Sequence, residues 1–284
     1  MMRSDASLKG KIKEMAKKTN LKPQEILQMY LFERLLMRLE QSDYAQTFVL
    51  KGGLLISSMT GISQRTTMDM DTTVIGMNMD EKTVSEAVRT ICAIDAGDGM
   101  EYYFERIEPI REDDEYANWR VHLRVRHGKI DVPIKIDITT GDEMVPGHVE
   151  YRYPLMFEEG SVRVLSYPLE TVLAEKLETV VSRGIANTRG RDFYDIHTLF
   201  RLRSKDINRK SLHDAVAATA SKRGSTDKMG GYSTVLKEVR ESGIMRDIWT
   251  SYISGSPYAA GLEFEDTLDS ALELARLAGL NELG

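Results

Sequence analysis

Between Lys51 and Asp71 the chain reads KGGLLISSMTGISQRTTMDMD: a glycine pair, a short apolar stretch, then two aspartates one residue apart. The run Thr66 to Ile75 predicts a strand. Side chains alternate faces along a strand, so Asp69 and Asp71 would project to one side, about 6.6 Å apart along the chain. Two carboxylates that close raise each other's proton affinity unless a divalent cation sits between them, and their oxygen donors suit a hard cation. Gly52 and Gly53 fall between the apolar Phe48-Val49-Leu50 and a helix-length stretch from Leu54 to Met59. A turn without side chains at a helix start lets backbone N–H groups approach a phosphate, favoured by the helix dipole. Phosphate beside metal is nucleotide chemistry. Taken singly, each half is better explained by an ordinary tight turn or an exposed edge strand, and it is their strand, turn, helix, strand order that points to a site.

Further candidates lie downstream. In Val132 to Ile138, Ile134, Ile136 and Ile138 share one strand face while Lys135 and Asp137 share the other. Asp137 is either a third oxygen ligand beside Asp69 and Asp71 or the first residue of the polar loop Thr139 to Asp142, and both readings stay open. Lys176 lies between Leu173, Leu177 and Val180 on a helix from Leu169 to Arg183, where a lysine either snorkels or meets an anion. Asp192 and Asp195 are three apart on the next helix, placed to position Lys176 or Arg191, although Asp192 also suits a helix first turn.

The elements that must hold these residues are legible in outline. With 284 residues, a single cysteine (Cys92) and a formal net charge of −6, the composition is that of an ordinary globular protein. The lone cysteine excludes an intrachain disulfide. No apolar run approaches the ~20 residues of a membrane span, and the N-terminus lacks a signal-like apolar region, so a cytoplasmic protein without a membrane partner is expected. The acidic balance argues against broad nucleic-acid binding but not against a local patch. Cations gather at Lys9 to Lys22 and again at Arg183 to Lys210, and in the second segment Arg183, Arg201 and Arg203 are candidate RNA contacts.

Leu8–Thr19 and Pro23–Glu40 read as amphipathic helices. After the glycine pair come a helix over Asp80–Ala93 and strands over Glu101–Ile110, Trp119–Arg126 and Val132–Ile138, with Arg111–Glu115 as a hairpin turn. From Pro168 the chain reads as helices: Leu169–Arg183, Arg191–Leu202, Ser211–Ser221, Val235–Tyr252 and Phe264–Leu280. The expected fold class is mixed α/β: a nucleotidyltransferase-like domain with N-terminal helices over residues 1–160, and a helical domain over 161–284 that completes the active site.

The ordered set of Gly52-Gly53, Arg65-Thr66-Thr67-Met68-Asp69-Met70-Asp71, Lys135-Ile136-Asp137, Glu175-Lys176-Leu177 with Arg183, and Arg191-Asp192-Phe193-Tyr194-Asp195-Ile196 resembles the AbiEii/AbiGii-type toxins of the DNA-polymerase-beta-like nucleotidyltransferase superfamily. The resemblance spans about Phe48 to Leu202. It implies a minimal nucleotidyltransferase fold, Mg²⁺ or Mn²⁺, a nucleoside triphosphate substrate, and a toxin of a toxin–antitoxin or phage-defence pair with a cognate antitoxin protein. It also implies RNA, such as the 3′ end of tRNA, as acceptor. By position Asp69 and Asp71 would be metal ligands, with Asp137 a possible third. Lys176 would contact triphosphate, Asp192 or Asp195 would be a catalytic or positioning acid, and Gly52, Gly53, Thr67 and Arg191 would help bind nucleotide. The chain departs from the superfamily pattern in having Gly52-Gly53 where Gly-Ser is common, and in a long interval from Gly53 to Asp69. Two other readings keep the same residues: γ-phosphoryl transfer by a kinase-like modifier, and a non-catalytic module that binds nucleotide or a partner.

Overall fold

A computed structural model describes residues 4–110 and 118–280. The cluster Arg111–Glu115, expected as a hairpin turn, lies outside the described residues. The chain forms two compact units, the first of residues 1–142 and 149–166 and the second of residues 143–148 and 167–284.

The first unit carries, in chain order, α1 (Asp5–Thr19), α2 (Pro23–Glu40), β1 (Phe48–Lys51), α3 (Gly52–Thr60), β2 (Met70–Val74), α4 (Glu81–Ala93), β3 (Glu101–Pro109), β4 (Trp119–His127), β5 (Ile130–Thr140), β6 (Val149–Pro154) and β7 (Ser161–Ser166). The strands form one mixed sheet in the order β3-β4-β5-β2-β1-β7-β6. The β2–β5 and β1–β7 pairs are parallel and the rest antiparallel. A mixed α/β fold is therefore what the chain adopts. Strand alternation divides the two faces of the sheet. Val121, Leu123 and Val125 of β4, Ile134, Ile136 and Ile138 of β5, and Met70 and Val74 of β2 are buried on one face. Their neighbours Arg120, His122, Lys135, Asp137 and Asp71 stand on the other.

Two features of this unit differ from the sequence reading. The pair β6–β7 was not expected. Both strands are short, but Tyr151 and Tyr153 alternate with Glu150 and Arg152, a period-2 signal that was present to be read. The second helix, expected to be amphipathic, is buried nearly all round, including Gln28, Glu33, Arg34 and Arg38. Its charges are paired. Arg34 bonds Glu33 and reaches Glu158 at 2.7 Å, while Arg38, fully buried, forks onto both oxygens of Asp98 at 2.9 and 2.7 Å. Burial alone would raise the Asp98 carboxyl, but the Arg38 guanidinium outweighs it and holds the group below its ordinary value.

The second unit carries seven α-helices among its described residues: α5 (Leu169–Arg183), α6 (Gly190–Arg203), α7 (Arg209–Lys222), α8 (Thr226–Gly230), α9 (Tyr232–Glu241), α10 (Gly243–Gly255) and α11 (Phe264–Leu277). The stretch expected as one helix over Val235–Tyr252 is two. Ser242 breaks it, because its hydroxyl accepts from the Met245 N–H and caps a new start. The core of this unit gathers Leu173, Leu177 and Val180 of α5 with Phe193, Ile196 and Leu199 of α6, and Leu268, Ala271 and Leu274 of α11.

The Arg38–Asp98 fork should be structural. Arg38→Ala, which leaves the largely covered Asp98 carboxylate without its partner, is expected to lower urea-unfolding stability by about 3–5 kcal/mol. Because the folded Asp98 pKa lies below the unfolded one, the pair's contribution is complete above the ordinary aspartate value and is lost as pH falls through the folded one. Asp98→Asn should be less stable than wild type at pH 7, and the gap should close on acidification.

Candidate active site

The glycine pair, the aspartates and Asp137 meet on the polar face of the first unit's sheet. Strand β1 ends at Lys51, opposite Asp71 of β2, and Asp71 is in turn paired with Asp137 of β5. Lys51, Asp71 and Asp137 thus form one row across three adjacent strands. Helix α3 begins at the next residue, Gly52, whose φ of 66° is a left-handed conformation that suits glycine. A β-carbon at Gly52 would overlap the Asp71 carboxylate, and one at Gly53 would come within 2.8 Å of Thr67 Oγ1. The pair is therefore what lets the start of α3 lie against Asp71, and the Gly53 N–H donates to that carboxylate.

Asp69 departs from expectation. The strand predicted from Thr66 starts only at Met70, and Asp69 lies just before it, after a bend at Met68. Strand β1 has already ended, so no ladder partner remains on that side. The Thr67 hydroxyl bonds the Asp69 backbone instead, donating to its carbonyl at 3.1 Å and accepting from its N–H at 3.3 Å, a local alternative to sheet pairing. Buried Arg65 fastens the preceding turn by donating to the Thr66 carbonyl, and Ser57 of α3 donates to the Arg65 carbonyl.

Each carboxylate has a cation beside it. Asp69 Oδ1 is 2.9 Å from Lys135 Nζ, off the line of a hydrogen bond, so this shielded oxygen accepts no hydrogen bond. Both Asp137 oxygens accept from Arg120 of β4, at 2.8 and 2.7 Å. Lys51 bonds Thr139 at 2.7 Å and Asp142 at 2.6 Å and lies close enough to act on Asp71. Burial nevertheless pushes the Asp71 carboxyl above its ordinary value. Lys51 and the Gly53 N–H oppose that rise, and Asp137 and Asp69 reinforce it. Among the described residues no three His, Cys, Asp or Glu side chains are already gathered to hold a metal ion. The donor chemistry still fits a hard cation, since Asp69 offers an oxygen without a hydrogen bond and Asp71 a carboxylate whose charge is poorly compensated. Lys51 and Arg120 were not singled out by the sequence reading. Lys51 directly precedes the glycine pair, and the strict alternation of Arg120, His122, Arg124 and Arg126 with Val121, Leu123 and Val125 was the available signal.

In the second unit, Lys176 of α5 is clamped between Asp192 and Asp195 of α6, with Nζ 2.5 Å and 3.1 Å from their carboxylates. Both acids are buried, and Asp192 Oδ2 lacks a hydrogen-bond partner. Burial would lower the lysine's proton affinity, but Asp195 and Asp192 outweigh it and raise it. Lys176 does not snorkel, and Asp192 is more than a first-turn acid. Arg191 is exposed. Arg183 and Arg201 are also exposed, whereas Arg203 donates to Asp206 at 2.5 Å.

Two stability measurements follow from these environments. The raised folded pKa of Asp71 means that its ionisation opposes folding: the favourable contribution is complete below the ordinary aspartate value and is lost as pH rises through the folded one. Asp71→Asn in EDTA should therefore melt above wild type at pH 7, with the gap narrowing toward pH 4. Lys176→Met should cost about 3–5 kcal/mol by stranding two buried carboxylates, and Lys176→Met/Asp192→Asn/Asp195→Asn should recover much of that loss in urea unfolding.

Comparison with known proteins identifies the family. Residues 34–273 match the family described as the nucleotidyl transferase AbiEii toxin of a type IV toxin–antitoxin system. No curated protein matches in sequence. Similar solved structures include JHP933 from Helicobacter pylori, 15% identical with a TM-score of 0.49 over 92% of this chain and 94% of that one. Another is an antigenic nucleotidyltransferase-like protein from Paracoccidioides brasiliensis, 13% identical with a TM-score of 0.40 over 86% of this chain and 92% of that one. With a family match over most of its length, the chain belongs to the AbiEii nucleotidyltransferase toxin family.

Proposed function

We propose that the protein transfers a nucleoside monophosphate from a nucleoside triphosphate to a hydroxyl of RNA, with Asp69, Asp71 and Asp137 as its metal-binding carboxylates. The observation that carries this reading is the pairing of Asp71 with Asp137 on adjacent parallel strands, directly beside the glycine start of α3. In the reaction the acceptor oxygen bonds to the α-phosphorus, the bond from that phosphorus to the pyrophosphate oxygen breaks, and the hydroxyl proton leaves to solvent through the carboxylates. A divalent cation held by Asp69 and Asp71 would offset phosphate charge and favour loss of the hydroxyl proton. The chain itself supplies position and charge. Gly52 and Gly53 keep side chains away from the start of α3, Thr67 fixes the bend that presents Asp69, and Lys51 and Lys135 set the local potential.

In the second unit Lys176 and Arg191 serve as triphosphate contacts, with Asp192 and Asp195 positioning the lysine. Arg183 and Arg201, both exposed, are the proposed RNA contacts together with Arg203, although the last is already paired with Asp206. Family membership supports a toxin whose effect a cognate antitoxin relieves. The proposed setting is the bacterial cytoplasm, with a role in phage defence. No described helix is long and apolar enough to cross a membrane.

Purified protein incubated with Mg²⁺, total RNA and each α-labelled triphosphate in turn should label a discrete RNA species and release pyrophosphate. Asp71→Asn should reduce the rate by at least two to three orders of magnitude, the loss of several kcal/mol of charge stabilisation. Equal labelling by wild type and Asp71→Asn would remove the carboxylate assignment. Transfer of a γ-label, with nucleoside diphosphate as product, would establish the kinase-like alternative.

A further inference from the structure

The row Lys51, Asp71, Asp137 continues across the sheet. Asp137 is paired in register with Arg120 of β4, and Arg120 with Glu108 of β3. Five adjacent strands thus carry charges in the order plus, minus, minus, plus, minus. Within this row Arg120 closes on Asp137 with both arms of its fork, occupying both carboxylate oxygens. A cation approaching Asp71 would meet, across Asp137, a guanidinium of the same sign as itself. The Arg120 side chain is nevertheless about one-third exposed, so it is free to exchange partners in a way that fully buried Arg38 is not. Asp69 and Glu108 also lie close enough to act on its charge.

Resting on the nucleotidyltransferase reading of this site, we propose that Arg120 is a substrate-released lock: it holds Asp137 until a triphosphate arrives, then passes to a phosphate oxygen and frees Asp137 for the cation. The fork that suits a carboxylate suits a phosphate equally well, so the exchange keeps the guanidinium paired throughout. It also couples the two ligands. Cation and triphosphate each bind better in the presence of the other, because either alone must leave a charge in this row uncompensated. Arg120 acts on the metal through Asp137 and is a positioning residue until it meets phosphate.

The test measures binding in the full-length protein and needs no turnover. Mn²⁺ alone is titrated and the free ion followed by electron paramagnetic resonance, and the preformed Mn²⁺–tripolyphosphate complex is titrated by calorimetry. Arg120→Gln should bind Mn²⁺ alone about tenfold more tightly than wild type and Mn²⁺–tripolyphosphate more weakly, by a similar factor. Arg120→Lys, which keeps the charge but not the fork, should fall between the two in both titrations. It also serves if Arg120→Gln fails to fold. A residue that merely braced the sheet would move both affinities in the same direction or neither. In Arg120→Gln/Asp137→Asn the gain in Mn²⁺ affinity should disappear.

An Arg120→Gln protein, or Arg120→Lys in its place, that melts like wild type and binds Mn²⁺ no more tightly overturns the lock, while Asp71-dependent Mn²⁺ binding by wild type leaves the site reading standing. Binding of the Mn²⁺–tripolyphosphate complex that is absent from wild type, or unaffected by Asp71→Asn, overturns the site reading and the lock with it.

Discussion

Two carboxylates side by side on adjacent parallel strands are the constraint around which the first unit is arranged. Neighbouring strands lie about 4.8 Å apart, and at an effective dielectric constant of about 20 two such charges repel by roughly 3 kcal/mol. Asp71 and Asp137 take up that arrangement in register. It is tolerable because the row is closed at one end by Lys51 and at the other by Arg120. The same constraint fixes the backbone. Strand β1 must stop at Lys51, and the residue after it must lack a side chain so that α3 can begin against the Asp71 carboxylate. The glycine pair is thus a consequence of where Asp71 stands.

The parts of this arrangement that were legible in the sequence follow regular periods. The isoleucine alternation in β5 located Asp137 on the polar face, and the order of glycine pair, helix and aspartates located the β1–α3–β2 turn. Asp192 and Asp195, three apart on one helix, do meet Lys176. What was not legible depends on contacts that leave no trace in the apolar pattern, some between neighbouring residues and some at long range in the chain. The late start of β2, which leaves Asp69 outside the strand, follows from the short reach of β1 and from the Thr67 hydroxyl, and neither alters the apolar pattern. The depth of α2 follows from Asp98 and Glu158, residues far from Arg38 and Arg34 in sequence, which make burial of those arginines affordable. The division of Val235–Tyr252 into two helices rests on a single capping hydroxyl within a continuous apolar rhythm.

The ionic groups of the chain fall into two kinds, separated by access to water. Arg38, Asp192 and Asp195 are buried and hold Asp98 and Lys176, and in a medium of low polarity the loss of a partner is costly, so such groups keep the partners they have. Arg120, Lys135, Asp69 and Asp137 retain between about one-sixth and two-fifths of their side-chain exposure. There a pairing is worth little more than the hydration it displaces, and exchange for another ion of the same sign is nearly neutral. Chemistry that must bind and release a polyanion and a cation in each cycle belongs with the second kind. The first kind supplies a frame whose charges do not move.

Lys176 is the instructive intermediate. Its partners are as dry as those of Arg38, yet one oxygen of Asp192 has no hydrogen bond and the lysine itself keeps some contact with solvent. Two acids around one lysine leave an excess negative charge, and an anion would have to compete with both carboxylates to draw the ammonium away. If Lys176 contacts a triphosphate, it must do so while still held by at least one of them. The physical role open to it is then that of a fixed positive point, oriented by Asp192 and Asp195, rather than a mobile arm that reaches for substrate. Arg120, held by a single carboxylate at the edge of solvent, is free to behave in the opposite way.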